Sequence, residues 1–114
     1  MDLDELITAI RQTSSDPVAS KLAALLSIWK DDGSDTKELE TTVERFIGNT
    51  WIDSKTEHKT IYSLWSQFRD EEIHGIGGMT MNERLYCFSL FPRWDSAHAD
   101  NEKEAIYAKL LANP

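Results

Sequence analysis

Apolar residues recur along this chain at helical spacing, not strand spacing. Leu3, Leu6, Ile7 and Ile10 fall at i, i+3, i+4 and i+7, which stacks them on one side of a helix. Asp2 and Glu5 ahead of them have the form of a capping box, an acidic side chain and a glutamate bonding each other's backbone amides. Asp16-Pro17 puts a capping carboxylate before a proline at a first helical position. Val18, Leu22, Leu25, Leu26 and Trp29 then continue a second stripe that ends near Lys30. Asp31-Asp32-Gly33-Ser34 reads as a turn, after which Asp35 and Glu38 open a third helix with Leu39, Val43, Phe46 and Ile47 inward and Gly48 as its stop. Ser54 and Glu57 repeat the capping box ahead of Ile61, Leu64, Trp65 and Phe68.

The pattern breaks from Asp70 to Gly78, where Gly75, Gly77 and Gly78 predict a loop in which backbones pass closely. Thr80 and Glu83 restart a fifth helix with Met81, Leu85, Phe88 and Phe91 inward. Pro92 ends that helix near Leu90 or kinks it, because proline has no amide for the carbonyl four residues back. Asn101 caps a sixth helix running to about Ala112, anchored by Ile106, Tyr107 and Leu110, with a frayed Asn113-Pro114 tail. No stretch sustains the alternation of a strand. The prediction is an all-α fold, a compact single-domain bundle of about six short helices across residues 1–114.

Size and charge narrow the function classes. A chain of 114 residues is one domain and leaves no room for a two-domain enzyme. It should fold to about 6,300 Å² of surface, burying roughly two-thirds of the extended chain's area, enough to hold a core without staples. The single cysteine, Cys87, excludes an internal disulfide and a paired-cysteine zinc site. No apolar run reaches the roughly 18 residues of a membrane span, and Met1-Asp2-Leu3-Asp4-Glu5 is acidic where a signal peptide is basic. A cytoplasmic protein without membrane contact is expected. A net charge of −8 repels nucleic acid and attracts basic partners.

Catalytic signatures are weak. A phosphate loop would need lysine and a hydroxyl residue after the last glycine, but Met79-Thr80 follow and no strand precedes, so the glycines read as an interhelical turn. Glu71 to His74 and Asp95 to His98 each set an acid three residues before a histidine, as in half of a di-iron carboxylate site. Both lie outside any apolar periodicity and read as solvated side chains, as does His58, and no zincin motif is present. Cys87 between Tyr86 and Phe88 reads as a buried inert thiol. No serine elbow is present. The expectation is a protein that is not an enzyme and needs neither metal nor cofactor.

The acids are unevenly spread. Asp31, Asp32, Asp35, Glu38, Glu40 and Glu44 face Lys37 alone, and Asp70-Glu71-Glu72 forms a second cluster beside the glycines. Glu40 and Glu44, four apart on one helix, repel by about 0.2–0.5 kcal/mol. Such clusters serve either as a solvated face or as a docking surface for a basic partner, where charge speeds association and sets orientation. Trp51 and Trp94 fall outside the helical stripes, so each is either core or an exposed anchor. The candidate partner-binding set is Asp31, Asp32, Asp35, Glu40, Glu44, Asp70, Glu71, Glu72 and Trp94.

Two stretches, Glu72-Ile73-His74-Gly75-Ile76-Gly77-Gly78-Met79-Thr80-Met81-Asn82-Glu83-Arg84-Leu85-Tyr86 and Ala105-Ile106-Tyr107-Ala108-Lys109-Leu110, resemble the small acidic helical immunity proteins encoded beside bacterial contact-dependent growth inhibition toxins. The resemblance covers about a third of the chain. It implies a protein that binds the toxic C-terminal domain of a cognate effector, commonly a nuclease, and blocks its active site or substrate groove. The alternative from the residues alone is a helical adaptor that holds a partner protein or peptide in an apolar groove.

Overall fold

The first five helix starts marked by capping side chains are helix starts in the computed structural model, which describes residues 1–113. Helix α1 (Leu3–Thr13) carries a complete capping box, with Asp2 accepting from the Glu5 amide at 2.8 Å and Glu5 accepting from the Asp2 amide at 3.0 Å. Asp16 caps α2 (Pro17–Trp29), Asp35 caps α3 (Thr36–Asn49) and Ser54 caps α4 (Lys55–Phe68). Thr80 and Glu83 complete a second box at α5 (Met81–Cys87). The short α6 (Phe91–Ser96) and α7 (Asp100–Lys109) finish the chain.

Among the described residues the fold is all helical, with seven α-helices where about six were expected. The extra helix is α6. Pro92 neither kinks a long helix nor ends the region: α5 stops at Cys87, Ser89 turns left-handed with φ 56°, and a new helix starts with proline in its first turn, where no amide is needed. The Ser89 hydroxyl accepts from the Asp4 amide at 3.0 Å, tying this turn to α1. α3 runs one residue past Gly48. α7 begins after Ala99, without the Asn101 cap, and ends at Lys109 instead of near Ala112. It stops there because Leu111 is left-handed at φ 56° and the Arg84 guanidinium binds the carbonyls of Leu110 and Leu111 at 2.9 and 2.8 Å.

The expected glycine loop is mostly helical. Arg69–Ile73 continues α4 as a π-turn, closed by the His74 amide reaching Arg69's carbonyl at 2.9 Å, and Ile76–Gly78 forms one 3₁₀ turn. No glycine has positive φ. Close backbone approach is real only at Gly75, where an added Cβ would sit 2.4 Å from the Glu71 carbonyl oxygen; nothing lies within 4 Å of a Cβ at Gly77 or Gly78.

α1 packs on α2 and α4, α2 on α3, and α3 on the π-turn. Their shared core holds Trp65, Phe68, Phe88, Leu3, Leu6, Ile10, Leu26 and Leu39, all fully buried. Phe88 joins α5 to this core, its ring 5.8 Å from Trp29 and 5.6 Å from Phe68. Met81 and Phe91, expected inside, are half-buried at the edge. The accessible surface is 6438 Å², close to the expected value.

Caps and ion pairs set the acid response. The carboxyls of Glu5 and Glu83 lie below their ordinary value of 4.5, held mainly by the Asp2 and Thr80 backbone amides. Asp70 lies below 3.8 because Arg69 hydrogen-bonds it. Burial pushes Asp32 up, but hydrogen bonds from Ser34 and Lys109 outweigh it and leave the carboxyl below 3.8. Each folded value is lower than the unfolded one, so the stabilisation is complete above the ordinary range and is lost as pH falls through the folded values. The urea midpoint is therefore expected to fall steadily from about pH 4.5 downward; a midpoint unchanged down to about pH 3 contradicts these bonds.

Candidate docking surface

α3 and the π-turn lie side by side, and the residues on their facing edges are acidic. Glu40 on α3 meets the His74 imidazole at 2.7 Å, and Asp70 lies 3.6 Å from the same ring. Glu44, one turn on, accepts from Arg69 and also from the buried Trp65 indole at 3.0 Å. Arg69 bonds Asp70 in turn at 2.9 Å. Asp70, then Glu44 and the Tyr62 hydroxyl, push the Arg69 guanidinium pKa up, so it stays charged. Three carboxylates thus share one arginine and one histidine.

The fold therefore brings Glu40, Glu44 and Asp70 together although they are far apart in sequence. It leaves Asp35 at the other end of α3, about 13 Å from Glu44 by helical rise, with Asp31 and Asp32 in the turn before it. These three are not equivalent. Asp35 caps α3, and its carbonyl accepts from the Trp29 indole at 3.0 Å. Asp32 accepts from Lys109 at 3.0 Å and from the Ser34 hydroxyl at 2.7 Å. Only Asp31 and the neighbouring Glu38 are exposed and form no ion pair among the described residues. Glu71 is exposed and accepts from Gln67 at 3.2 Å, without reaching His74. Glu72 is turned inward and buried. Glu40 and Glu44, read from the sequence as part of a solvated or docking face, are anchored within the protein, because a π-turn in place of the loop carries Arg69 and His74 against α3.

Trp94 is not an exposed anchor. It is half-buried between α6 and α7, edge-on to Tyr107 at 5.4 Å with the Lys103 ammonium 5.0 Å over its ring. Trp51 is the tryptophan that stands out, 62% exposed in the α3–α4 connection.

Sequence reasoning missed the cations that hold the acidic turn. Lys109 is only 2% exposed; it donates to the carbonyls of Asp32 and Ser34 at 3.0 and 2.7 Å and sits 3.9 Å over the Trp29 ring. Burial pushes its pKa down, against the pull of Asp32. Arg93 on α6 adds bonds to the carbonyls of Lys30 and Asp32 at 2.9 and 3.2 Å. Lys109 had a readable signal, its place between Ile106 and Leu110 on the buried stripe of α7. Arg93 had none.

Among the described residues, no group of three or more His, Cys, Asp or Glu is placed to hold a metal ion. Cys87, expected buried, is half-buried at the edge of the core because α5 ends there; desolvation, helped by the Glu72 carboxylate, still pushes its thiol up to about 12, so it carries no thiolate near neutral pH. No helix of the described residues is long and apolar enough to cross a membrane. Compared with protein-family models, curated proteins and solved structures, the chain matches none.

Proposed function

We propose that this protein acts by binding, as an immunity protein that neutralises the toxic domain of a cognate effector by covering a basic active site or substrate groove. The acidic ridge along α3 and the π-turn carries this reading: Glu40, Glu44 and Asp70 are held in place by Arg69 and His74, with Glu71 exposed on the same turn and Asp31 and Glu38 exposed toward the other end of α3. Pre-organised carboxylates lose little entropy on meeting cations, and exposed ones raise the rate of encounter. A nuclease groove built for phosphates presents the complementary charge.

The test is co-expression with the toxic C-terminal domain encoded beside this chain. Binding and protection from growth arrest are expected. Reversing Asp31, Glu38 and Glu71 to lysine should slow association about tenfold or more at low salt and flatten its salt dependence. Glu40 and Glu44 are unsuitable for this purpose, since reversal strands the Trp65 indole and sets like charge on Arg69. No complex, or association indifferent to all three reversals, overturns the reading. An adaptor role is favoured by one other feature, the exposed aromatic groove at Trp51.

A further inference from the structure

On the outer face of α4, Trp51, Lys55, His58, Lys59, Tyr62 and Ser63 line an open groove of about 680 Å³. Its walls are unusual for this surface. Trp51 is 62% and Tyr62 40% exposed, and the indole stacks on the His58 ring with centroids 4.5 Å apart. Single exposed apolar residues are ordinary, but two large aromatics flanking one groove are the composition of a contact hot spot. Beneath Trp51, the Nδ1 atom of His58 is buried and has no hydrogen-bond partner among the described residues, and an unmade buried bond is costly.

The charged side chains lining the groove are both cationic. Lys55 and Lys59 lie one helical turn apart on the same side as Tyr62, and neither makes an ion pair among the described residues. Glu57 sits on a different face, about 100° or more around the helix from the lining positions. The ridge adjoins the groove at Tyr62, whose hydroxyl bonds Arg69, but Glu44 and Asp70 are there matched by that guanidinium, so Lys55 and Lys59 are the lining charges left without an ion pair among the described residues. Small-molecule sites are generally enclosed, whereas this groove runs open along a helix, as peptide-binding grooves do.

We infer that the Trp51–Tyr62 groove docks a peptide segment of a partner protein that carries an acidic residue beside an aromatic or large aliphatic one. The apolar side chain lies against Trp51 and Tyr62, and the carboxylate lies between the ammonium groups of Lys55 and Lys59. This docking stands on the groove alone and does not depend on the toxin reading. Its chemistry is opposite in sign to that of the ridge, so one partner can engage both surfaces only with a divided charge.

Random peptides displayed on phage and selected on the full chain, with counter-selection on Trp51→Ala, test it without any toxin. The expected enrichment is of acidic–aromatic or acidic–aliphatic pairs. A synthetic peptide bearing that pair should lose at least about tenfold in affinity, by fluorescence anisotropy, against Trp51→Ala and against Lys55→Glu with Lys59→Glu. Both variants should keep the parental circular dichroism and melting behaviour, because the sites are exposed. No enrichment, neutral or basic sequences, or binding indifferent to the substitutions overturns the inference. Preferential binding of a fluorescent oligothymidylate at the groove also overturns it, because stacked bases with phosphates would be the better ligand.

Discussion

Replacing Lys109 with alanine is expected to destabilise the fold by about 3–5 kcal/mol, a large share of a small domain's stability. The buried ammonium ties α7 to the α2–α3 turn through Asp32 and Ser34, and its stem and charge cover Trp29. Alanine leaves the Ser34 carbonyl unpaired, opens a cavity over the indole and removes the charge partner of Asp32. Lys109→Met keeps the stem and should cost about 1–2 kcal/mol less than alanine, which separates packing from charge. Urea unfolding followed by tryptophan fluorescence measures both. An alanine variant within about 0.5 kcal/mol of the parent would show that the buried bonds contribute nothing net.

Phe88→Ala should cost a comparable amount, about 3–5 kcal/mol. The ring is fully buried where α2, α4 and α5 meet, edge-on to Phe68 and tilted against Trp29. These aromatic pairs add about 0.5–1.5 kcal/mol beyond the area they bury. Phe88→Leu preserves most of the volume and should recover about half of the loss. Thermal denaturation distinguishes this from a peripheral role: a melting temperature within a few degrees of the parent for the alanine variant contradicts the central placement of the ring.

Local chemistry was legible where one residue decides an outcome. Asp2, Asp16, Asp35, Ser54 and Thr80 announced five helix starts because a side chain accepting an amide is a short-range event. Leu3, Leu6, Ile7 and Ile10 announced a buried face because only period matters there. The α7 start failed that test: Ala99 precedes it with no side-chain cap, so nothing local marked it. The π-turn and α6 depended on longer-range terms. Arg69–Ile73 stays helical because Ile73 is buried and α3 packs against it, which no window of sequence reveals.

The candidate surface was legible as composition and hidden as architecture. Two clusters of acids were plain from Asp31 to Glu44 and from Asp70 to Glu72. That Asp32, Glu40 and Glu44 are bonded to Lys109, His74 and Arg69 depends on pairs of residues tens of positions apart. The same distance hid the contrast between Trp94, packed against Tyr107, and Trp51, which stands in the open.

A π-turn is a helix that has taken in one residue too many. The acidic ridge is thus bound to a count of residues as well as to their kinds. Five residues in a π-turn advance about as far around the axis as four in an ordinary turn, so losing one position between Arg69 and Ile73 lets the turn revert to ordinary winding with the chain beyond it still facing α3. The turn has already widened once to hold an extra residue, and a further one added there would swing everything beyond it by about 100°. His74 would leave Glu40, Ile73 would leave the core, and the two acid clusters would part company with every carboxylate still present. For descendants of this chain, insertions at this point are a sharper constraint on the ridge than deletions or exchanges among Asp, Glu and Gln along it.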